Sequence, residues 1–381
     1  MPGLILRNVK PIGFDKAADR MDIFIDADGR VASEAPADAT VHDCGGAIVS
    51  PGWADLHVHV WHGGTDISIR ADEAGMKRGV TAMADAGSAG EASFHGLREY
   101  VIEKQRETVK AFVNIGSIGL VACNRVSELI DMRSIDVDRT LAVIEANRDV
   151  VCGVKVRASG VIVGAWGITP AKIAKRVAEI AKLPLMVHIG EPPPLLDEIL
   201  AILTPGDVVT HCFNGKKSGS IADTPQLMEM AKTLAGSGVH MDIGHGAASY
   251  SFAVAKRAIG EGLKPFSIST DLHLRNVGGP VYDLATTVSK VHAAGLSLEE
   301  CVEAVAASPR GFLGLSGRGG LAAGEPADFT VFDVVDADEE VTDSLGDRMH
   351  IRRMFEPRLA VRGAVAVEAS RALAGKGAAE K

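Results

Sequence analysis

The sequence predicts an α/β fold built on a (β/α)8 TIM barrel, with β-rich segments at both chain ends. Three observations predict it. Between residues 51 and 315, eight short apolar runs alternate with helical patterns. The segments on either side of that stretch read as strands joined by turns. Residues able to do chemistry sit late in several of the runs, where a barrel would gather them at one mouth. An open doubly wound sheet is the structural alternative, and it would place a ligand at a single switch point.

The first fifty residues contain "GLILRNVKPIG", "MDIFIDADGRVASE" and "TVHDCGGAIVSPG", which alternate partly and break at Asp-Gly and Gly-Gly. The eight runs then follow: 53–60, 80–87, 111–118, 151–159, 185–191, 208–215, 239–246 and 266–273. Helix candidates between them include "SFHGLREYVIEKQRETVK", "TPAKIAKRVAEIAK", "PPPLLDEILAIL" and "TPQLMEMAKTLAGSG". Pro or Thr-Pro at the start of the last two suits a first helical turn. Two more, "YDLATTVSKVHAAG" and "SLEECVEAVAASPRGFLGL", follow the eighth run. The repeats span about 265 residues, close to the ~250 of a barrel. "GEPADFTVFDVVD" and "PRLAVRGAVAVEAS" return the chain to β structure, and the tail "ALAGKGAAEK" is expected to fray.

Bulk properties narrow the function. The 381-residue chain is 46% hydrophobic and carries 40 Lys plus Arg against 49 Asp plus Glu, a net charge of −9. A nucleic acid or an anionic membrane is therefore not the expected partner. Five scattered cysteines without CxxC spacing argue against a disulfide framework. No basic leader or ~20-residue apolar span is visible. The expected location is cytoplasmic.

The run ends form a constellation. In "DLHVHV", His57 and His59 share one strand face, because side chains alternate along a strand. Lys155 lies in the fourth run, His188 in the fifth, His211 in the sixth and Asp271 in the eighth. Imidazole and carboxylate suit zinc, iron or manganese. Lys155 is the odd member, since burial and a nearby dication both disfavour an ammonium. A neutral amine can add carbon dioxide to give an anionic carbamate that bridges two metals. Arg157, two residues on, shares the face of Lys155 and is positioned to grip a substrate carboxylate. His245 and His273 end the last two runs and are further substrate-contact candidates.

With these residues goes a family resemblance over nearly the whole chain. "PGWADLHVH", "GVTAMADAG", "VHIGE", "THCFN", "STDLH" and "SPRGFLGLSGRGGLAAGEPADFTVFD" resemble the amidohydrolase superfamily of metal-dependent hydrolases. The resemblance implies a small β-sandwich domain built from both termini, so residues 1–50 and 318–381 would form it and 51–317 the barrel. It implies that His57, His59 and Asp271 hold one divalent metal, zinc by expectation, and that His188 and His211 hold a second. Carboxylated Lys155 (N6-carboxylysine) and a hydroxide would bridge them, with Asp271 as catalytic acid and base. Within the superfamily the sequence is most similar to the deacetylase or dihydroorotase-like group. Dihydroorotases carry an arginine two positions after the HxH pair, and here that position is Trp61. The implied activity is release of acetate from an acetyl ester or N-acetyl amide of a small, anionic α-substituted carboxylate. Cyclic-amide hydrolysis and a non-catalytic, ligand-binding relative are the alternatives. The resemblance also implies a homo-oligomer.

Overall fold

The computed structural model describes residues 2–14 and 19–372. The tail segment expected to fray lies, from Leu373 on, outside these residues. Among the described residues there are fifteen strands. Five precede the barrel: β1 (Leu4–Pro11), β2 (Met21–Ile25), β3 (Val31–Ala32), β4 (Thr40–Asp43) and β5 (Ile48–Pro51). Seven belong to it: β6 (Trp53–Val58), β7 (Val80–Gly90), β8 (Thr108–Asn114), β9 (Val151–Ala158), β10 (Leu185–Ile189), β11 (Val208–Thr210) and β12 (His240–Asp242). Three follow: β13 (Asp328–Thr342), β14 (Arg348–Arg362) and β15 (Val365–Glu368).

Strands β6 to β12 form one parallel sheet in chain order. The eighth apolar run closes it without becoming a regular strand. Residues 267–272 bridge to both edges, with Asp242 beside Ser267 and Val58 beside Leu272. The Asp271 N–H donates to His57 C=O at 2.6 Å on one side, and the His245 N–H donates to Ser269 C=O at 3.1 Å on the other. Two features prevent a regular ladder here. Asp271 has φ +49°, in the left-handed region, and the Thr270 N–H goes to the Asp55 side chain.

Small residues make room inside the barrel. Ala54, Leu56, Ala82, Ala84, Ala86, Phe112, Met186 and Val208 form a cluster separate from the main barrel core. A Cβ at Gly153 would lie 2.6 Å from the Phe112 ring, so this glycine admits the plug on which the mouth residues stand. Helices cover the outside. Thr224 caps Pro225–Gly236 by accepting from the Leu227 N–H, as "TPQLM" predicts. Two other helix expectations shorten. The one over 93–110 ends at Tyr100, and a 3-10 turn at Ile102–Lys104 precedes strand β8, whose start at Thr108 the β-branched "TV" favours. The one over 192–203 reduces to Leu196–Leu200, behind three prolines that supply no N–H.

The termini build one mixed sheet in the order β15-β14-β13-β5-β1-β2-β3, with β4 beside β1. Leu6, Val9, Ile25, Val49, Phe329 and Val361 are buried in its own core. The β13–β14 hairpin outruns that sheet. Val341, Ile351, Met354 and Phe355 join the barrel core, and the Phe355 N–H donates to Ser289 Oγ on helix Leu284–Ala293. At the hairpin tip, Ser344 Oγ donates to the Gly246 carbonyl at 2.9 Å, and Asp343 accepts from the Phe252 N–H at 3.0 Å. A C-terminal segment thus braces the loop after β12.

Candidate metal centre

The ends of β6, β9 and β10, the residue after β11 and the closing segment meet at the floor of a cavity of about 460 Å³. His57 and His59 point one ring nitrogen each at Asp271: Nε2 lies 3.4 Å and 3.2 Å, respectively, from Oδ1. His211 Nε2 and His188 Nδ1 lie 2.9 Å apart. The Lys155 amine sits between these groups, 3.3 Å from His57 Nε2 and 3.2 Å from Met186 Sδ. His57, His211 and Asp271 present donor atoms all within 4.8 Å of one another. The six residues named from the run ends therefore converge, and Lys155 points inward, only 1% exposed.

The far side of each imidazole sets which nitrogen keeps its lone pair. His211 Nδ1 lies 2.6 Å from the Gly244 carbonyl, which can only accept, so Nδ1 carries the proton and Nε2 is bare. His57 Nδ1 is 2.7 Å from Thr210 Oγ1, and His59 Nδ1 is 2.9 Å from Ser88 Oγ. Burial, followed by the charge of Lys155, pushes the His57 imidazole well below its ordinary range; burial and His211 do the same to His188. His211 is pushed down to about 3, mainly by burial. Neutral imidazoles and a carboxylate, without a thiol, are the donor set of a zinc, manganese or iron site. The residues present fit a divalent metal centre.

Two of the residues expected to contact substrate have partners within the protein. Arg157 lines the cavity, but its Nε and Nη2 donate to Glu128 at 2.7 and 2.5 Å. Glu128 is fully buried, and a buried guanidinium requires such a counter-charge. The protein's own carboxylate thus takes the Nε and Nη2 edge of the guanidinium. His245 turns into the core. Its Nε2 accepts from Lys290 Nζ at 3.0 Å, its Nδ1 donates to the Gly246 carbonyl, and its ring stacks on Tyr250 at 4.6 Å. The reason is the left-handed backbone at Gly244 and Gly246, which breaks the strand alternation assumed for the seventh run. His273 remains in the cavity wall, its ring 6.4 Å from that of His59.

Sequence reasoning missed several supporting residues. Asp55 is buried and accepts from the Thr270 Oγ1 hydroxyl at 2.6 Å and the Thr270 N–H at 3.1 Å, locking the closing segment to β6. Its position two before His57 was the available signal. Lys216 and Arg275 line the cavity on loops without any pattern to announce them. A larger groove of about 630 Å³ lies at the strands' N-terminal ends, among Lys110, Lys175, Asp207 and His240, and none of the six clustered residues lines it.

Residues 48–357 match the amidohydrolase family. The chain belongs to that family. Amidohydrolases are hydrolases, generally use divalent metals and act on small molecules. The chain is 56% identical over 375 residues to a deacetylase of Agrobacterium fabrum, covering 97% of this chain and 92% of that one. It is similar to a crystal structure described as a dihydroorotase, with 54% identity, a TM-score of 0.94 and coverage of 98% and 100% of the two chains. A structure described as an adenine deaminase follows at 34% identity and a TM-score of 0.88, covering 97% of this chain and 100% of the other. The barrel and two-ended β domain are those of this fold. Among the described residues, no helix is long and apolar enough to cross a membrane.

Proposed function

We propose that this amidohydrolase is a binuclear metal-dependent enzyme that releases acetate from an acetyl ester or N-acetyl amide of a small α-substituted carboxylate, such as an O-acetyl 2-hydroxy acid. The observation that carries this reading is the meeting of four imidazoles, the Lys155 amine and the Asp271 carboxylate at the base of the cavity. His57, His59 and Asp271 would hold one divalent ion, zinc by preference, and His188 and His211 the other. A carbamate on Lys155 would stand between them. Burial brings the Lys155 amine down to about 7, which leaves a large neutral fraction able to add carbon dioxide. Bound divalent ions supply Lewis acidity, polarising a carbonyl and acidifying water.

The remaining work falls to this chain's own side chains. Asp271 is the carboxylate that reaches the cavity from among the clustered imidazoles, 13% exposed, with Oδ1 toward His57 and His59, while Glu191 lines the wall. It takes the proton of the attacking water and delivers it to the leaving oxygen or nitrogen, a role worth ~10²–10⁴ in rate. His273 stands beside it in the wall. An anionic substrate would meet Arg275 and Lys216, the latter paired with Glu191 at 3.1 Å, with Arg157 adding charge from behind its own pairing with Glu128.

Identity above half to a protein named a deacetylase supports acetyl release. Ring opening of a cyclic amide is the second reading, favoured by the likeness to the structure described as a dihydroorotase. Against it, Trp61 occupies the place of the expected arginine and packs against Gly64 and Gly96 outside the cavity lining. The test is a screen of zinc-loaded protein against acetyl esters and N-acetyl amides of both enantiomers, alongside cyclic amides. Acetate release is expected. Absorbance change on ring opening without acetate would decide for the second reading. No turnover of any substrate by fully loaded protein would favour a non-catalytic relative.

A further inference from the structure

We propose that Asp242, on barrel strand β12, which supplies no ligand, is a positioning residue that fixes the tautomer of His57 and the aim of His211. Asp242 is fully buried beneath the ligand cluster. Its Oδ1 accepts from Ser267 Oγ at 2.5 Å and Ser269 Oγ at 2.7 Å, and its Oδ2 accepts from Thr210 Oγ1 at 2.7 Å. Three hydroxyls, on β11 and the closing segment, thus spend their hydrogens on one carboxylate.

Two relays leave this hub. With its hydrogen given to Asp242, Thr210 Oγ1 can only accept from His57 Nδ1, 2.7 Å away. The imidazole proton is held on Nδ1, and the Nε2 lone pair faces the centre. The second relay runs through Ser269. Its Oγ accepts from the Gly244 N–H at 2.9 Å, and the Gly244 carbonyl accepts from His211 Nδ1 at 2.6 Å. Gly244 has φ +46°, and a Cβ there would lie 2.4 Å from Thr210 Oγ1 and 3.1 Å from His57 Nδ1. Only glycine leaves the first relay room. A strand with no ligand thereby aligns ligands assigned to both metals.

The inference rests on the reading of His57 and His211 as ligands, so the test separates the two. In Asp242→Asn, the hydroxyls of Ser267 and Ser269 draw the amide oxygen to their side. The NH2 then faces Thr210 and donates, the Thr210 hydroxyl reverses toward His57, and the imidazole proton moves to Nε2. Full-length wild type, D242N, T210V and T210S are compared by circular dichroism, by chelator competition for zinc and by ¹⁵N-histidine NMR of the metal-free chain. T210V is expected to lose ~10–100-fold in affinity for one of its two zinc ions. T210S, which keeps the hydroxyl, is expected to hold both. D242N is expected to show His57 protonated on Nε2. A folded D242N whose His57 stays protonated on Nδ1, or a folded T210V with undiminished zinc affinity and the wild-type tautomer, overturns the relay. A tautomer change in D242N with zinc affinity unmoved supports the relay and overturns the ligand reading instead.

Discussion

Lys155 stands where a positive charge is hard to keep. Burial lowers its amine from 10.5 to about 7, and the carboxylates of Asp271 and Asp242 only partly oppose that. The neutral fraction rises above pH 7, so zinc uptake by metal-free protein in bicarbonate is expected to increase from about pH 6 to about pH 8. Metal stoichiometry after desalting checks this; Lys155→Met should remove the dependence. The same depression means the unfolded chain binds the extra proton between about 7 and 10.5, so the metal-free fold gains stability as pH rises through that window. For Asp271, the expected outcome of Asp271→Asn is a fall in kcat of ~10²–10⁴ with little change in fold. A variant with undiminished metal content and full turnover would remove Asp271 from the proton-transfer role proposed for it. The convergence of these side chains was legible because each sits within an apolar run, and the runs follow one another in barrel order. The partners of Arg157 and His245 were not, because Glu128 and Lys290 come from a loop and a helix remote in sequence, and only the folded chain brings them within bonding distance.

At the scale of elements, the first seven runs correspond to strands β6 to β12, and the helix over 169–182 is found at Thr169–Ala181. The eighth run kept its place and lost its regularity, because its backbone N–H groups serve side chains and the left-handed turn at Asp271. Periodicity reads side-chain faces and is blind to such substitutions. Nor did alternation reveal that the β13–β14 hairpin braces the loop after β12. There the buried Lys290 amine donates to the carbonyls of Pro280 and Thr342 and to His245 Nε2, joining helix, hairpin and loop. Lys290→Met leaves those acceptors unpaired at ~1–3 kcal/mol each. A clear drop in Tm is expected, with a raised KM, since Ala247–Ser249 of that loop line the cavity. Unchanged KM in a folded variant would mean that the brace serves stability alone.

For the molecule as a whole, the barrel and the terminal sheet are pinned by Arg310. It is 2% exposed, lies 3.1 Å from Asp328 Oδ2 on β13, and donates to the Gly52 and Arg318 carbonyls. Thr81 Oγ1 on β7 donates to the same aspartate at 2.5 Å. Removing one partner of a buried pair costs ~3–5 kcal/mol. Arg310→Met is expected to lower the denaturant midpoint accordingly, and a loss below 1 kcal/mol (on the order of an exposed pair) would show that this pin carries little weight. The two-ended β domain has a consequence for biosynthesis. Chains emerge from the ribosome N-terminus first, and segments fold as they appear. β5 must wait for β13, and the wall of the pocket must wait for the Asp343–Asp347 turn. A nascent chain therefore carries its histidines long before it has a finished mouth, and competence to hydrolyse waits on a segment some seventy residues further along.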